Sequence, residues 1–366
     1  MADSGLAAWI RLTHTPGIGA ASQRALLARF GLPEQIFRAR PADLAATIGE
    51  QRALALCAGR DAAAESEALA WAEQAGNAII TLADARYPPR LLETPDPPVL
   101  LYAKGRSELL AAPALAIVGA RNATQQGCQD AAAFARAFAA GGLTVVSGLA
   151  QGVDAAAHGG ALEAPASTVA VIGTGADRIY PPANAALARR IAEGGCIISE
   201  LPLGTPARKE NFPRRNRIIA GLALGVLVVE AAKTSGALIT AKQAGEYGRE
   251  VFALPGSIHS PLSKGCHALI RQGAKLVESA RDVLEELRLP PPATPPADAA
   301  PDAPVASADD SLLAALGHGP VGMDELAGRS GLPAAQLLAR LTELEMAGLV
   351  EQLPGGRLQR VVRAGE

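Results

Sequence analysis

Aromatic side chains are scarce in this chain of 366 residues: Phe, Tyr and Trp make up 3% of it. Apolar residues as a whole reach 49%, so material for burial is ample, but the cores must come largely from Ala, Leu, Val and Ile. Cysteine is thin as well. Cys57, Cys128, Cys196 and Cys266 lie far apart, and no pair has metal-ligand or dithiol spacing. They read as reduced, mostly buried thiols. The five histidines are equally scattered, which leaves no metal site to expect. Long hydrophobic runs are missing: the longest, from Ile218 to Val229, is bounded by Arg217 and Glu230 and is too short to span a bilayer. No basic, apolar-cored leader stands at the N-terminus. These absences predict a soluble, cytoplasmic protein with no membrane partner. Excess charge is missing too, the formal net charge being −2, so any affinity for polyanions has to be local.

The length exceeds one ordinary core, and two or three domains are expected. Residues 1–75 read as all-helical, with helical periodicity and no strand-like alternation. Within them, Thr15-Pro16-Gly17-Ile18-Gly19 precedes a helix from Ala20 to Phe30. This looks like a helix-hairpin-helix turn, whose glycines let backbone N–H groups face a DNA phosphate. A plain inter-helix turn fits the same residues. Residues 76–289 open with a Pro-rich, partly extended bridge to about residue 110. Short β-branched runs follow at Ala116–Val118, Thr144–Ser147, Val169–Ile172, Ile197–Ser199, Val226–Glu230, Val251–Ala253 and Lys275–Val277, separated by segments of helical composition. Buried strands alternating with helices predict an α/β domain, a Rossmann-like doubly wound parallel sheet. Residues 290–308 form a Pro/Ala-rich linker that cannot build a core. In 309–366, helices at Ser311–Leu316, Met323–Ser330 and Pro333–Ala347 precede a hairpin around Pro354-Gly355-Gly356, the pattern of a winged helix. Its would-be recognition helix carries Arg340 against Glu343 and Glu345, which favours a protein-contact or accessory role over duplex reading. Basic residues outnumber acidic ones only in 76–289, by 22 to 18.

That domain also holds the densest cationic stretch, Arg208-Lys209-Glu210-Asn211-Phe212-Pro213-Arg214-Arg215-Asn216-Arg217. Cations interleaved with an aromatic suit single-stranded nucleic acid, the cations tracking phosphates and the ring stacking on a base. In an open parallel sheet, ligands bind beyond the carboxyl ends of the strands. The loops there are glycine-rich: Gly119-Ala120-Arg121-Asn122, Ser147-Gly148-Leu149-Ala150-Gln151-Gly152, Gly173-Thr174-Gly175, Glu200-Leu201-Pro202-Leu203-Gly204 and Thr234-Ser235-Gly236-Ala237. Glycine lets backbone amides approach a phosphate, and Arg121 adds a fixed charge. The first loop lacks the G-x-G-x-x-G spacing, and no G-x-x-x-x-G-K-[ST] loop is present, so no cofactor is expected. No nucleophile elbow or catalytic acid pair appears, and no catalytic residue is assigned. Asp154 and His158, at i and i+4 on one helix, could pair and read as structural, orienting the loop before them. Asp177 and Asn184 flank Tyr180-Pro181-Pro182 and read as fixing that loop's shape, and Glu230 as polar furniture beside the Gly236 loop. Two alternatives stay open: a nucleotide-processing hydrolase using Glu230 or Asp154, and a duplex-binding regulator working through the winged helix.

The ordered series Gly119-x-Arg121, Ser147-Gly148-Leu149-Ala150-x-Gly152-Val153-Asp154-x-x-Ala157-His158, Tyr180-Pro181-x-x-Asn184, Ser199-Glu200-x-Pro202 and Phe212-Pro213-x-Arg215-Asn216-Arg217-Ile218-Ile219-Ala220-Gly221 resembles the bacterial DNA-processing protein A (DprA/Smf) family. The resemblance spans residues 77 to 289, and the flanking domains look like those of longer members, an N-terminal helical module of SAM-like or helix-hairpin-helix type and a C-terminal winged helix. It implies a non-enzymatic protein that binds and protects incoming single-stranded DNA, helps load the RecA recombinase in natural transformation, and dimerises through the Rossmann-like domain. Carried over residue by residue, DNA contact falls on Arg121, Lys209 and Phe212, with the loops around Gly119, Ser147-Gly148 and Ser235-Gly236 completing the pocket. Arg214, Arg215 and Arg217 are expected to neutralise phosphates or hold the helix start. Ala120, Gln126 and Ala223 depart from the family's usual Ser, aromatic and Ser.

Overall fold

A computed structural model describes residues 2–58, 61–290, 308–317, 319–353 and 355–361. Most of the expected linker lies outside these. Six helices run from Ala2 to Ala72. Pro33 and Pro41 sit at helix starts, where a missing N–H costs nothing. Gly31 and Gly49 end helices with positive φ. Leu12, Leu26, Ile36, Leu44 and Leu56 form the core of this module. A second cluster joins it to the next domain, with Trp9, Ile10 and Trp71 packed on Ile79, Leu100 and Tyr102. Trp71 meets the Tyr102 ring edge-on at 5.6 Å, and His14 Nε2 shares a 2.8 Å hydrogen bond with the Tyr102 hydroxyl.

The main sheet has nine strands: β1 (Asn77–Thr81), β2 (Leu100–Gly105), β3 (Ala114–Val118), β4 (Thr144–Ser147), β5 (Thr168–Val171), β6 (Cys196–Ser199), β7 (Gly225–Val228), β8 (Glu250–Ala253) and β9 (Lys275–Leu276), in the order β1-β2-β6-β5-β4-β3-β7-β8-β9. From β6 to β9 every pair is parallel, as expected. The sheet as a whole is mixed, because β1 and β2 add an antiparallel pair at one edge. These are the residues read from sequence as a Pro-rich bridge. Pro88, Pro89, Pro97 and Pro98 lie between the two strands, and that punctuation hid two short runs that pair with each other.

Side chains alternate across the sheet, as the two-residue period of a strand requires. On β3, Ala114, Ala116 and Val118 pack under the helices Asn211–Leu222 and Ala237–Glu246. Leu115 and Ile117 point to the opposite layer, under Gln125–Ala140 and Val153–Ala161. Strand order reverses between β3 and β7. Cys196 and Cys266 are buried, but Cys57 is exposed and Cys128 half-buried, so the thiols are less uniformly interior than expected. No helix of the described residues is long and apolar enough to cross a membrane.

In the C-terminal unit, helices Ala308–Leu316, Met323–Ser330 and Ala334–Met346 pack on β10 (Val321–Gly322), β11 (Val350–Leu353) and β12 (Arg357–Arg360), ordered β10-β12-β11. Leu312, Leu316, Leu326, Leu337, Leu341 and Leu358 fill its core. This is the expected winged helix. Arg340 is held by Glu343 at 3.1 Å.

Candidate nucleic-acid interface

The loops after β3 and β7 diverge from the point where strand order reverses, and a crevice is expected there. Gly119 lies against Val153, and a Cβ there would come within 2.6 Å of that side chain. The next side chain out is Arg121, which is exposed. Its guanidinium carbon lies 5.7 Å from the centre of the Phe212 ring. Among the described residues Arg121 has no carboxylate partner within ion-pair distance. Phe212 is half-buried against Gly173, whose missing side chain makes room for the ring: a Cβ there would approach it to 2.9 Å. Asn211 fixes the start of the same helix by donating from Nδ2 to the Gly173 carbonyl at 3.1 Å. Lys209 is exposed just ahead of that helix.

The three arginines that follow go different ways. The helix Asn211–Leu222 buries Ile218, Ile219 and Leu222, and Arg215 falls on that face at the i, i+3, i+4, i+7 spacing. It is 6% exposed and donates from Nη1 to the Val171 carbonyl. Arg217 is 7% exposed. It pairs with Glu200 and lies 3.3 Å from Asp96. Arg214 keeps its side chain partly in solvent but is held by Glu200 at 3.1 Å. Of the two expectations for Arg215 and Arg217, phosphate contact is therefore corrected and a role at the helix holds: helical phase turns Arg215 onto the Ile218–Leu222 face, whereas Arg217, about 200° further round the helix, is buried by its pairing with Glu200 and Asp96. Arg214 remains at the surface with its charge already matched.

Beneath the loop after β4 lies a buried polar network. Asp154 accepts from the backbone N–H of Gly148 (3.1 Å) and Ala150 (3.3 Å). Thr168 donates its hydroxyl proton to the Val145 carbonyl at 2.7 Å, so the 2.7 Å contact between His158 Nδ1 and Thr168 Oγ1 is donated by the ring. Nε2 is then the acceptor for the Leu149 N–H at 3.2 Å. Asp154 and His158 do not bond to each other, each bracing the loop separately. Leu149 takes a left-handed backbone, φ 58°, at about 1–2 kcal/mol for a non-glycine residue. Asn184 holds the same loop from outside, donating to the carbonyls of Leu149 (2.9 Å) and Ala150 (3.1 Å). Burial pushes the Asp154 carboxyl above its ordinary range, and Arg215 pulls it back. Burial, with help from Arg215, lowers His158 to about 3, so it stays neutral. Burial also lowers Arg215, to about 10.

Ser147 is buried and donates to the Ile117 carbonyl at 2.7 Å, and buried Gly148 has already given its N–H to Asp154, so both serve the loop from inside and neither donor faces a ligand. Ser235 is half-buried and caps the Ala237 N–H at 3.3 Å, leaving Gly236 exposed. Glu230 receives Thr124 N at 2.9 Å and Thr124 Oγ1 at 2.7 Å. It thereby fixes the cap of the helix Gln125–Ala140, and burial raises its carboxyl. Glu351, on β11 of the winged helix, accepts from the Gln125 N–H at 2.7 Å. Sequence reasoning missed Glu200, Asp96 and Thr124 as partners. The signal for Thr124 was an N-cap residue three ahead of Gly127; nothing in the sequence says which cations Glu200 holds.

The arrangement is an open strip with one unpaired cation over an aromatic, a second exposed cation nearby, and backbone loops held from below. It can hold a flexible polyanion carrying flat rings. Comparison with known proteins agrees in kind. The family model for DNA recombination-mediator protein A matches residues 78–288, that for the DprA winged helix domain 290–356, and that for the DprA-like N-terminal HHH domain 3–68. Protein Smf of Escherichia coli is 43% identical over 300 residues, 80% of each chain. The X-ray structure of DNA processing protein A from Streptococcus pneumoniae superposes with a TM-score of 0.69 at 39% identity, over 76% of this chain and 97% of that one. A structure of DNA processing protein A from Helicobacter pylori, a study of that protein's single-stranded DNA binding mode, gives 0.53 at 31% identity over 57% and 95%.

Proposed function

The chain belongs to the DNA recombination-mediator protein A family, and on that premise we propose that it captures single-stranded DNA on the Arg121–Phe212 strip, protects it and delivers it to a RecA-type recombinase during recombination or natural transformation. It acts in the cytoplasm as a homodimer through the Rossmann-like domain. It works by binding, without turnover of its ligand and without a cofactor. One observation carries the reading: Arg121, exposed and free of any carboxylate among the described residues, stands over the Phe212 ring at the point where strand order reverses. A cation beside a stacking ring holds any sequence of bases, since every base has a π-face. A duplex would offer Phe212 no unstacked base.

The test is fluorescence anisotropy of a labelled oligo-dT against a labelled duplex in a salt series, with the wild type and Arg121→Ala. Salt-sensitive, single-strand-preferring binding that collapses in the variant is expected. Duplex preference untouched by the substitution would move the function to the winged helix and withdraw the reading.

A further inference from the structure

We propose that Tyr180 is a second stacking position of the same strip, so that the site grips two consecutive bases of a strand. The inference rests on the single-strand reading above. The chain has six Phe, four Tyr and two Trp, all within the described residues, and Tyr180 is the one aromatic among the exposed large apolar side chains, at 45%. Leaving a ring in water forgoes the burial that gives aromatics their usual stabilising role. This one exposed ring among the Phe, Tyr and Trp residues lies beside the candidate site, its centroid 5.6 Å from that of Phe212, with the planes tilted by 38°.

The two rings cannot sandwich a base. Insertion between parallel faces would need about 7 Å, twice the ~3.4 Å stacking rise, and the rings already touch. They instead present neighbouring surfaces. Arg121, Phe212 and Tyr180 follow one another in steps of 5.7 and 5.6 Å, one phosphate-matching cation and then two rings. The loop that carries Tyr180 is tied down on several sides. Thr174 Oγ1 donates to the Arg178 carbonyl at 2.7 Å. Gly204 N–H donates to Asp177 Oδ1 at 2.8 Å. Asn184 reaches across to the Leu149–Ala150 loop. A ring held this way offers its face at little further ordering cost. Asp177 and Asn184 thus fix the loop's shape, and the shape presents Tyr180.

The experiment measures oligo-dT affinity by anisotropy, in a salt series, for Tyr180→Ala, Tyr180→Leu and Tyr180→Phe beside Arg121→Ala. The expected result is roughly tenfold weaker binding for the Ala and Leu variants, about 1.4 kcal/mol. Their salt slope should be unchanged, Tyr180→Phe should stay within about twofold of the wild type, and melting temperatures should fall only slightly, because the side chain is nearly half exposed. If Tyr180→Ala and Tyr180→Leu bind like the wild type while Arg121→Ala loses binding, the second ring is refuted and the single-strand reading survives. Loss in Tyr180→Phe equal to that in Tyr180→Ala would make the contact a hydroxyl one and equally refute stacking. If Arg121→Ala also binds normally, it is the site reading itself that has failed.

Discussion

Replacing Arg215 by Met separates an interior role from a phosphate contact. The thioether fills the volume of the arginine stem, so the main loss is the charge. Asp154 is 7% exposed and would be left without its nearby cation. Breaking a buried pair by removing one partner destabilises by 3–5 kcal/mol. Asp154 and Arg215 act on each other without a direct ion pair among the described residues, so the lower end, about 3 kcal/mol, applies. For a domain of this size that is a fall in Tm on the order of 6–12 °C. The deficit also depends on pH. Burial holds the folded Asp154 carboxyl above its ordinary range, and removing Arg215 raises it further. A raised carboxyl favours the protonated folded state, so the deficit is smallest in acid and grows as pH rises through the folded value. Differential scanning calorimetry of Arg215→Met at pH 5 and pH 7.5, with Asp154→Asn alone and in combination, measures all of this. The double variant should be more stable than Arg215→Met. A variant that melts with the wild type while its DNA salt slope drops by ~0.7, one phosphate's worth on a single strand, would refute the reasoning and return Arg215 to the surface.

Lys209→Ala should weaken oligo-dT binding and lower the salt slope by roughly 0.7, whereas Phe212→Ala should cost about 1–3 kcal/mol with the slope kept; one salt series reads both. His158 is lowered to about 3 from its ordinary 6.5, so the unfolded chain takes the proton first. Its contribution is complete above pH 6.5 and is lost as pH falls toward 3, at about 1.4 kcal/mol per unit. Urea unfolding at pH 7 and pH 5 should show a smaller loss for His158→Gln than for the wild type. Gly148→Ala has no room beside Arg215, and overpacking should destabilise by about 1–3 kcal/mol, visible as a lower urea midpoint.

The parallel part of the sheet was legible because each buried strand is a short β-branched run followed by a glycine loop. The antiparallel edge was not, since pairing of β1 with β2 is set by strands that prolines separate. At the candidate site, Arg121, Lys209 and Phe212 stood out by residue type, and the structure leaves all three at or near the surface. Counting charge left open whether Arg215 and Arg217 meet phosphates or hold the helix; phase decides it for Arg215, and the acidic partners Glu200 and Asp96 decide it for Arg217. The apolar positions Ile218, Ile219 and Leu222 define the buried face of their helix, and Arg215 is in register with them. Asp154 and His158 do orient the loop before them, as their placement suggested, but without pairing with each other. Sharing a helix face makes contact possible, but the Gly148–Ala150 amides offered Asp154 better partners and Leu149 claimed the ring nitrogen of His158.

The bracing of the loop after β4 has a consequence for the speed and heat of binding. A loop whose amides are already tied to Asp154 and His158, and whose carbonyls are tied to Asn184, has little left to freeze when a strand arrives. Association is then limited by encounter and by electrostatic steering toward Arg121 and Lys209, not by a rearrangement of the protein. The heat-capacity change should be small, reflecting stacked bases instead of a folding segment. Discrimination between single and paired strands would fall to the DNA, which alone has to unstack.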